Sequence, residues 1–378
     1  MTSRHAHAGS GGATAWLVVS AALFGIVLFR HLSYPLLWSD ESETAAVAER
    51  ILEYGYPKVH GDRNVVYEFG PNIALGVKES LDAYIGTTWA HFYFAVPGVV
   101  WAGATDDLYE KTLRMRLPFA MAGAVAMVLF LWAVWPALRE RPARARSFAA
   151  CFFTLCALSV SLVLHLREMR YYPLVVALVG ALLGAHYRFT IFRSLRGPAH
   201  AIAVGALLAA LFHTFFAAYF ALVMLLALDA VWFARGAPPS ERRRQALGWL
   251  APVAVSALVV VPSAVFFETL SVAMGFTSHV GSSPSGYMEN LREVLLHLAR
   301  QELLLPVLAL RLVHWRLRGG MRRTGPSRGD SEPAKRVADS LFLFAIGYLV
   351  IGCLNPLVYE RYFVVLSPVL ALVFLLDA

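Results

Sequence analysis

Apolar runs of bilayer-crossing length recur from one end of this chain to the other. That recurrence constrains the fold more than any motif does. A transmembrane helix needs about 20 largely apolar residues. Runs approaching or exceeding that length stand at about 14–37, 114–135, 148–166, 172–190, 199–213, 214–234, 247–267, 302–317, 339–355 and 363–377, with ends read to within about 2–4 residues. Of 378 residues, 58% are hydrophobic and 15% charged, where a water-soluble domain carries about 25% charged residues. No period-two alternation argues for a barrel. The expectation is an all-α polytopic membrane protein, one transmembrane domain over residues 1–378, with a large first loop carrying juxtamembrane helices.

Arginine sets the expected sidedness. Arg139, Arg141, Arg144 and Arg146 follow the second run, Arg188, Arg193 and Arg196 the fourth, and Arg235 and Arg242 to Arg244 the sixth. A basic loop at 318–338 follows the eighth. Positive loops stay in the cytoplasm, so residues 1–13 are expected to be a cytoplasmic N-terminus and the first run an uncleaved span. This places a net charge of about +13 inside and −5 outside, summing to +8. Residues 85–103 are apolar too. Counting them as a span would put Arg139 to Arg146 outside, so they read as an interfacial or half-inserted helix within one extracytoplasmic loop, 38–112. Cys151, Cys156 and Cys353 all sit in apolar runs and offer no disulfide or metal-ligand spacing.

Trp38-Ser39-Asp40-Glu41 closes the first run and opens an amphipathic segment that stops at Gly55 and Pro57. Carboxylates there can do acid/base work beside a lipid. They can equally start a helix: Asp40 with Glu43 fits a capping box, and Glu41 suits the helix dipole. The same face gathers Arg114 and Arg116, the turn Arg167-Glu168-Met169-Arg170-Tyr171-Tyr172-Pro173, His213, and Glu360-Arg361-Tyr362. Arg167 and Arg170, three apart, would share a face at a helix end and could fork onto a phosphate, or snorkel to the interface. Arg114 and Arg116 read first as interface anchors, and His213 first as a packed histidine.

These motifs resemble a known family. Trp38-x-Asp40-Glu41 and the course Ala48-Glu49-Arg50-Ile51-Leu52-Glu53-Tyr54-Gly55-Tyr56-Pro57 look like the first outer loop of GT-C glycosyltransferases, in the protein mannosyltransferase and aminoarabinose transferase (family 39-like) branch. Met115-Arg116-Leu117-Pro118, Arg167 to Tyr172, and Glu360-Arg361-Tyr362-Phe363 resemble that branch's later elements. Many members carry a Pro-Pro pair before the interfacial helix, whereas this chain reads Gly76-Val77-Lys78-Glu79-Ser80-Leu81-Asp82. No soluble domain follows the last run, so the expectation is the membrane portion alone.

The resemblance implies an inverting transfer of a sugar from a polyprenyl-phosphate donor to a glycan, lipid or protein hydroxyl. The expected setting is the outer face of the inner or plasma membrane. Asp40 would be the base, with Glu41 positioning the acceptor or a metal. Arg167, Arg170 and Arg361 would hold the donor phosphate. Tyr171, Glu168, Glu360, Tyr362, His213 and Arg116 are further candidates for substrate binding. The superfamily allows a divalent ion at Asp40, but the sequence shows no ligand set for one. No nucleic-acid partner is expected. The rival readings are a lipid or solute transporter, which calls for ionisable groups near mid-span and an internal repeat, and a non-catalytic subunit of an envelope assembly. Charges here gather at the ends of the runs, against the transporter.

Overall fold

The computed structural model describes residues 4–61, 76–235, 237–272, 274, 283–317, 332–354 and 358–378. Helix α1 (Arg4–Phe29) leads to α2 (Ser39–Tyr54), and an antiparallel hairpin of β1 (Val77–Lys78) and β2 (Ala83–Tyr84) leads to α3 (Ala90–Ala102). Then follow α4 (Leu108–Val134), α5 (Pro142–Leu158), α6 (Val160–His165), α7 (Tyr172–Thr190), α8 (Gly197–Thr214), α9 (Phe216–Ala234) and α10 (Pro239–Phe266). The last described helices are α11 (Pro284–Gln301), α12 (Leu304–Leu317), α13 (Glu332–Gly352) and α14 (Leu366–Asp377). Helices are what an apolar solvent permits, because each satisfies its own backbone polar groups.

Among the described residues, 6 helices are long and apolar enough to cross a membrane: Gly11–Phe29, Leu108–Ala137, Tyr172–Thr190, Gly197–Thr214, Phe216–Ala234 and Pro239–Phe266. The other expected spans come out differently. The run at 148–166 breaks at Ser159, whose backbone is extended and whose hydroxyl caps α6. The run at 363–377 yields a helix of 12 residues with Leu366 to Val373 buried throughout, the mark of a core helix rather than a lipid-facing one. The first run ends as a helix at Phe29, not at 37, in a turn where His31 takes a left-handed φ of 57°. The polar start expected at 1–13 is helical from Arg4. Residues 284–301, unassigned from the sequence, form α11. Pro284 stands in its first turn, the Ser283 hydroxyl accepts from the Gly286 N–H, and Val294 and Leu298 are buried.

Helix α3 has 13 residues, about 20 Å at 1.5 Å per residue, too short for a hydrocarbon core of about 30 Å. It packs between α2 and α4, so the loop at 38–112 carries two short helices and a hairpin, with 62–75 outside the described residues. Of the basic loop at 318–338, only 332–338 is described, as the start of α13. Impermeant maleimide applied to intact cells is expected to label Cys placed at Glu79 and to leave Cys placed at Ala143 untouched. Labelling at 143 would overturn the sidedness.

The bundle pairs α1 with α5, α4 with α7, and α8 with α10, and sets α9 between α10 and α13. Small residues allow the close approaches, as is usual between membrane helices. A Cβ on Gly205 of α8 would stand 3.0 Å from the Pro252 carbonyl of α10, and one on Gly123 of α4 only 2.5 Å from the Leu166 carbonyl. The second contact seats the turn 166–171 directly on α4.

Not every charge stays at a helix end. Inside the bundle, the Asp229 carboxylate of α9 accepts from the Ser340 hydroxyl of α13 at 2.5 Å and lies 3.2 Å from His186 Nε2 of α7. These groups enter the last third of α7 and α9 because each supplies the other's hydrogen bond. An unpaired carboxylate there would cost several kcal/mol.

Candidate active site at the start of the second helix

The N-terminus of α2 is capped by Glu41, not by Asp40. The Glu41 Oε2 accepts from the Trp38 N–H at 3.3 Å, reaching back from the third helical position. The expected Asp40–Glu43 box does not form, because the cap falls two residues earlier, at Trp38, and α2 begins at Ser39. Glu41 is fully buried. Its carboxylate takes Arg116 Nε at 2.8 Å on Oε1 and Arg116 Nη2 at 2.5 Å on Oε2, and the Met169 N–H at 2.9 Å on Oε1.

Arg116 is correspondingly not an interface anchor but a core residue. Besides Glu41, its guanidinium donates to the carbonyls of Leu32 at 3.0 Å, Pro35 at 2.6 Å and Leu36 at 3.3 Å. Those carbonyls are free because α1 stops at Phe29 and Pro35 cannot continue it. All five of its N–H donors are engaged, which leaves none for a substrate. One ion pair therefore ties the end of α1, the start of α2, α4 and the turn 166–171 together. Arg114, by contrast, lies over the Trp101 ring and pairs with Glu110.

With capping done by Glu41, the Asp40 side chain points elsewhere. Its Oδ2 lies 3.1 Å from Arg361 Nη2 and 3.8 Å from Arg170 Nε. Arg361 also spreads over the rings of Trp38 at 4.7 Å and Tyr359 at 4.5 Å. Arg170 Nη1 donates to the Asp40 carbonyl at 3.2 Å and to Glu43 Oε2 and Thr44 Oγ1 at 3.3 Å each. Two carboxylates and two guanidiniums, brought from α2, the 166–171 turn and the turn before α14, thus share one part-buried site. Burial pushes the Glu43 carboxyl up against the pull of Arg170, and the Asp40 charge pushes it further. Burial opposes the Arg170 charge, but Glu43, Tyr171 and Asp40 outweigh it and hold this guanidinium above its ordinary value.

Beneath the arginines lies an aromatic floor. Tyr171 stacks flat on Phe215 at 4.5 Å, and Tyr172 and Tyr362 complete the wall with Tyr348, around room for about one water. His91, at the start of α3, meets the Tyr171 ring edge-on at 5.5 Å. Burial, then the Arg170 charge, holds His91 well below its ordinary value, so it is neutral at pH 7.

Arg167 goes a different way from Arg170. Residues 167–171 form bends rather than a helix end, so the expected shared face does not exist. Arg167 Nη1 donates to the Arg30 carbonyl at 2.9 Å, and burial, followed by Arg116, pulls its guanidinium below the ordinary value. Glu168 turns to His165 Nδ1 at 3.1 Å. His213 bonds the Ser263 hydroxyl at 3.1 Å and packs edge-on to Phe212 and Phe267. Glu360 is exposed, and Asn355-Pro356 lies outside the described residues. Glu43, expected only as a capping partner of Asp40, and His91, not expected at all, enter the site. Glu43 had a signal, since positions three apart share a helix face. His91 had none.

No family model and no curated protein matches this chain. Among solved structures, ArnT from Cupriavidus metallidurans bound to undecaprenyl phosphate aligns over 97% of it at 16% identity and TM-score 0.55. The same protein in the apo state aligns over 97% at 17% identity and TM-score 0.58. The chain has a GT-C fold. It spans 60% of the length of either neighbour. With its long apolar helices, it is an integral membrane protein. In this fold Asp40 lies in the first turn of α2. The donor set around it does not fit a divalent ion: its carboxylate faces two guanidiniums, and among the described residues no three His, Cys, Asp or Glu side chains gather to hold one.

Proposed function

We propose that the protein transfers a sugar from a polyprenyl-phosphate donor to an acceptor hydroxyl, with inversion, at the extracytoplasmic face. The observation that carries this reading is the convergence of Asp40 with Arg361 and Arg170 on a GT-C fold, in a site whose third carboxylate-bearing neighbour, Glu41, is committed to holding the helix start. In the reaction the acceptor oxygen attacks the anomeric carbon and its proton passes to Asp40. The bond from that carbon to the phosphate oxygen breaks on the opposite face, and polyprenyl phosphate leaves with the electron pair. The arginines stabilise the charge that builds on that phosphate.

Arg361 pairs with Asp40 at 3.1 Å. An incoming phosphate competes for the same guanidinium, so the donor draws Arg361 off the carboxylate that receives the acceptor proton.

The test is direct. Purified protein should bind undecaprenyl phosphate and release it from lipid-linked sugars in a membrane extract. Arg361→Ala should lower kcat/KM for the lipid donor by about 10- to 150-fold, the loss of one charge-assisted hydrogen bond, and Arg361→Lys should restore part of it, since Lys lacks the planar fork. Arg167→Ala should cost less, its guanidinium being turned to the Arg30 carbonyl. Absence of undecaprenyl phosphate binding by the unmodified protein would sink the reading.

A further inference from the structure

The opposite end of the bundle carries a second charged cluster. Helix α7 leaves the Asp40 site at Tyr172 and ends at Thr190, a helix of 19 residues whose ends stand about 27 Å apart at 1.5 Å per residue. Helix α10 runs the other way, since its last residue, Phe266, packs on Trp89 beside α3. Its first turn therefore stands by the end of α7. Helix α13 likewise starts at this end, its far end, Gly352, lying against Phe363 before α14.

Three arginines meet a single carboxylate there. Glu241 Oε2 lies 2.9 Å from Arg193 Nη2 and 3.6 Å from Arg244 Nη2, and Oε1 lies 3.7 Å from Arg336 Nη2. Gln245 also donates to Oε1 at 3.0 Å. Of the three arginines, only Arg193 is within hydrogen-bonding distance of the carboxylate. Arg244 reaches the Thr190 carbonyl at 3.3 Å, and the Nε of both Arg244 and Arg336 is buried without a hydrogen-bond partner. One negative charge against three positive ones leaves an excess of two, held in place by the aromatic rings of Phe189 under Arg244 and Phe233 under Arg336. Guanidiniums fixed side by side repel one another unless a further anion joins them, and an oxyanion with several acceptor atoms matches their spare donors.

Trp232 and Leu247, exposed on the neighbouring turns of α9 and α10, give the cluster an apolar flank. Cationic pockets between helices at the membrane boundary suit phospholipid headgroups. We propose that Arg193, Arg244 and Arg336, arranged around Glu241, bind a phosphate group, and that its source is an anionic phospholipid of the adjoining leaflet. The site lies at the far end from Asp40 and stands whether or not the sugar-transfer reading does.

The experiment tracks the melting temperature of the full-length protein in mixed micelles as phosphatidylglycerol, phosphatidylcholine or inorganic phosphate is added. Phosphatidylglycerol should raise it saturably and phosphatidylcholine should not. The half-saturating amount should increase by about tenfold or more in R244Q/R336Q, and by less in R193Q, whose side chain is 64% exposed. R139Q/R141Q, exposed arginines outside the cluster but at the same end, should respond as the unmodified protein does. A saturable rise with inorganic phosphate that phosphatidylglycerol does not exceed would keep the phosphate site and overturn the lipid as its source. An equal loss in R139Q/R141Q, or an unchanged response in R193Q and R244Q/R336Q alike, would overturn the site itself. Should R244Q/R336Q fail to fold, R193Q against R139Q/R141Q decides.

Discussion

Asp40→Asn should fold as the unmodified protein does and transfer sugar about a hundredfold more slowly or worse, the usual contribution of a positioned base. The geometry sharpens this prediction. Because Glu41 caps α2, Asp40 carries no cap to lose, and the amide keeps the size of the carboxylate. What vanishes is the charge facing Arg361 and the ability to accept a proton. Asp40→Ala should therefore match Asp40→Asn in stability, where a capping residue would cost about 1 kcal/mol on truncation. Transfer rates and melting temperatures of both variants, measured side by side, decide. A near-native rate in Asp40→Asn would remove Asp40 as the base and leave Glu43, raised by burial and facing Arg170, as the next carboxylate to test.

Glu41→Ala should be the most destabilising single change at the site. It leaves Arg116 buried among carbonyls without its counter-charge, and breaking a buried ion pair from one side costs about 3–5 kcal/mol. It also frees the Trp38 and Met169 N–H groups. Arg116→Met should cost a similar amount, since it strands the Leu32, Pro35 and Leu36 carbonyls as well as Glu41. The double variant should lose less than the sum of the two, because each single change already breaks the shared contact. Unfolding in denaturant for the four proteins measures that coupling. A Glu41→Ala protein that melts normally yet transfers nothing would make Glu41 a reacting group rather than a brace.

Both predictions turn on a distinction between adjacent residues. Trp38-Ser39-Asp40-Glu41 marks a helix start beside a membrane span in the bare sequence, but two carboxylates in one turn leave open which caps and which reacts. The choice is made by Arg116, 75 residues from Glu41, and by the turn at 166–171, which Gly123 lets down onto α4. A sequence pattern has no access to such partners, since side-chain pairing between distant segments depends on how the helices pack.

The amino-acid sequence by itself determined the features that local composition controls. Apolar run length made the chain helical and membrane-embedded, since lipid leaves the backbone no other partner, and the short motifs pointed to the GT-C fold that the structure bears out. The stretch 85–103 read as non-spanning from charge distribution alone, and α3 is too short to span. Tertiary structure alone decided the rest. It parted Arg167 from Arg170, because bends replaced the expected helix end. It sent Arg116 inward, because the broken end of α1 offered carbonyls to satisfy. It set Asp229 and His186 inside the bundle, because partners on three helices cancelled the cost of burying them. Periodicity and run length record how a segment meets its solvent; which charge meets which is settled only when the segments meet each other.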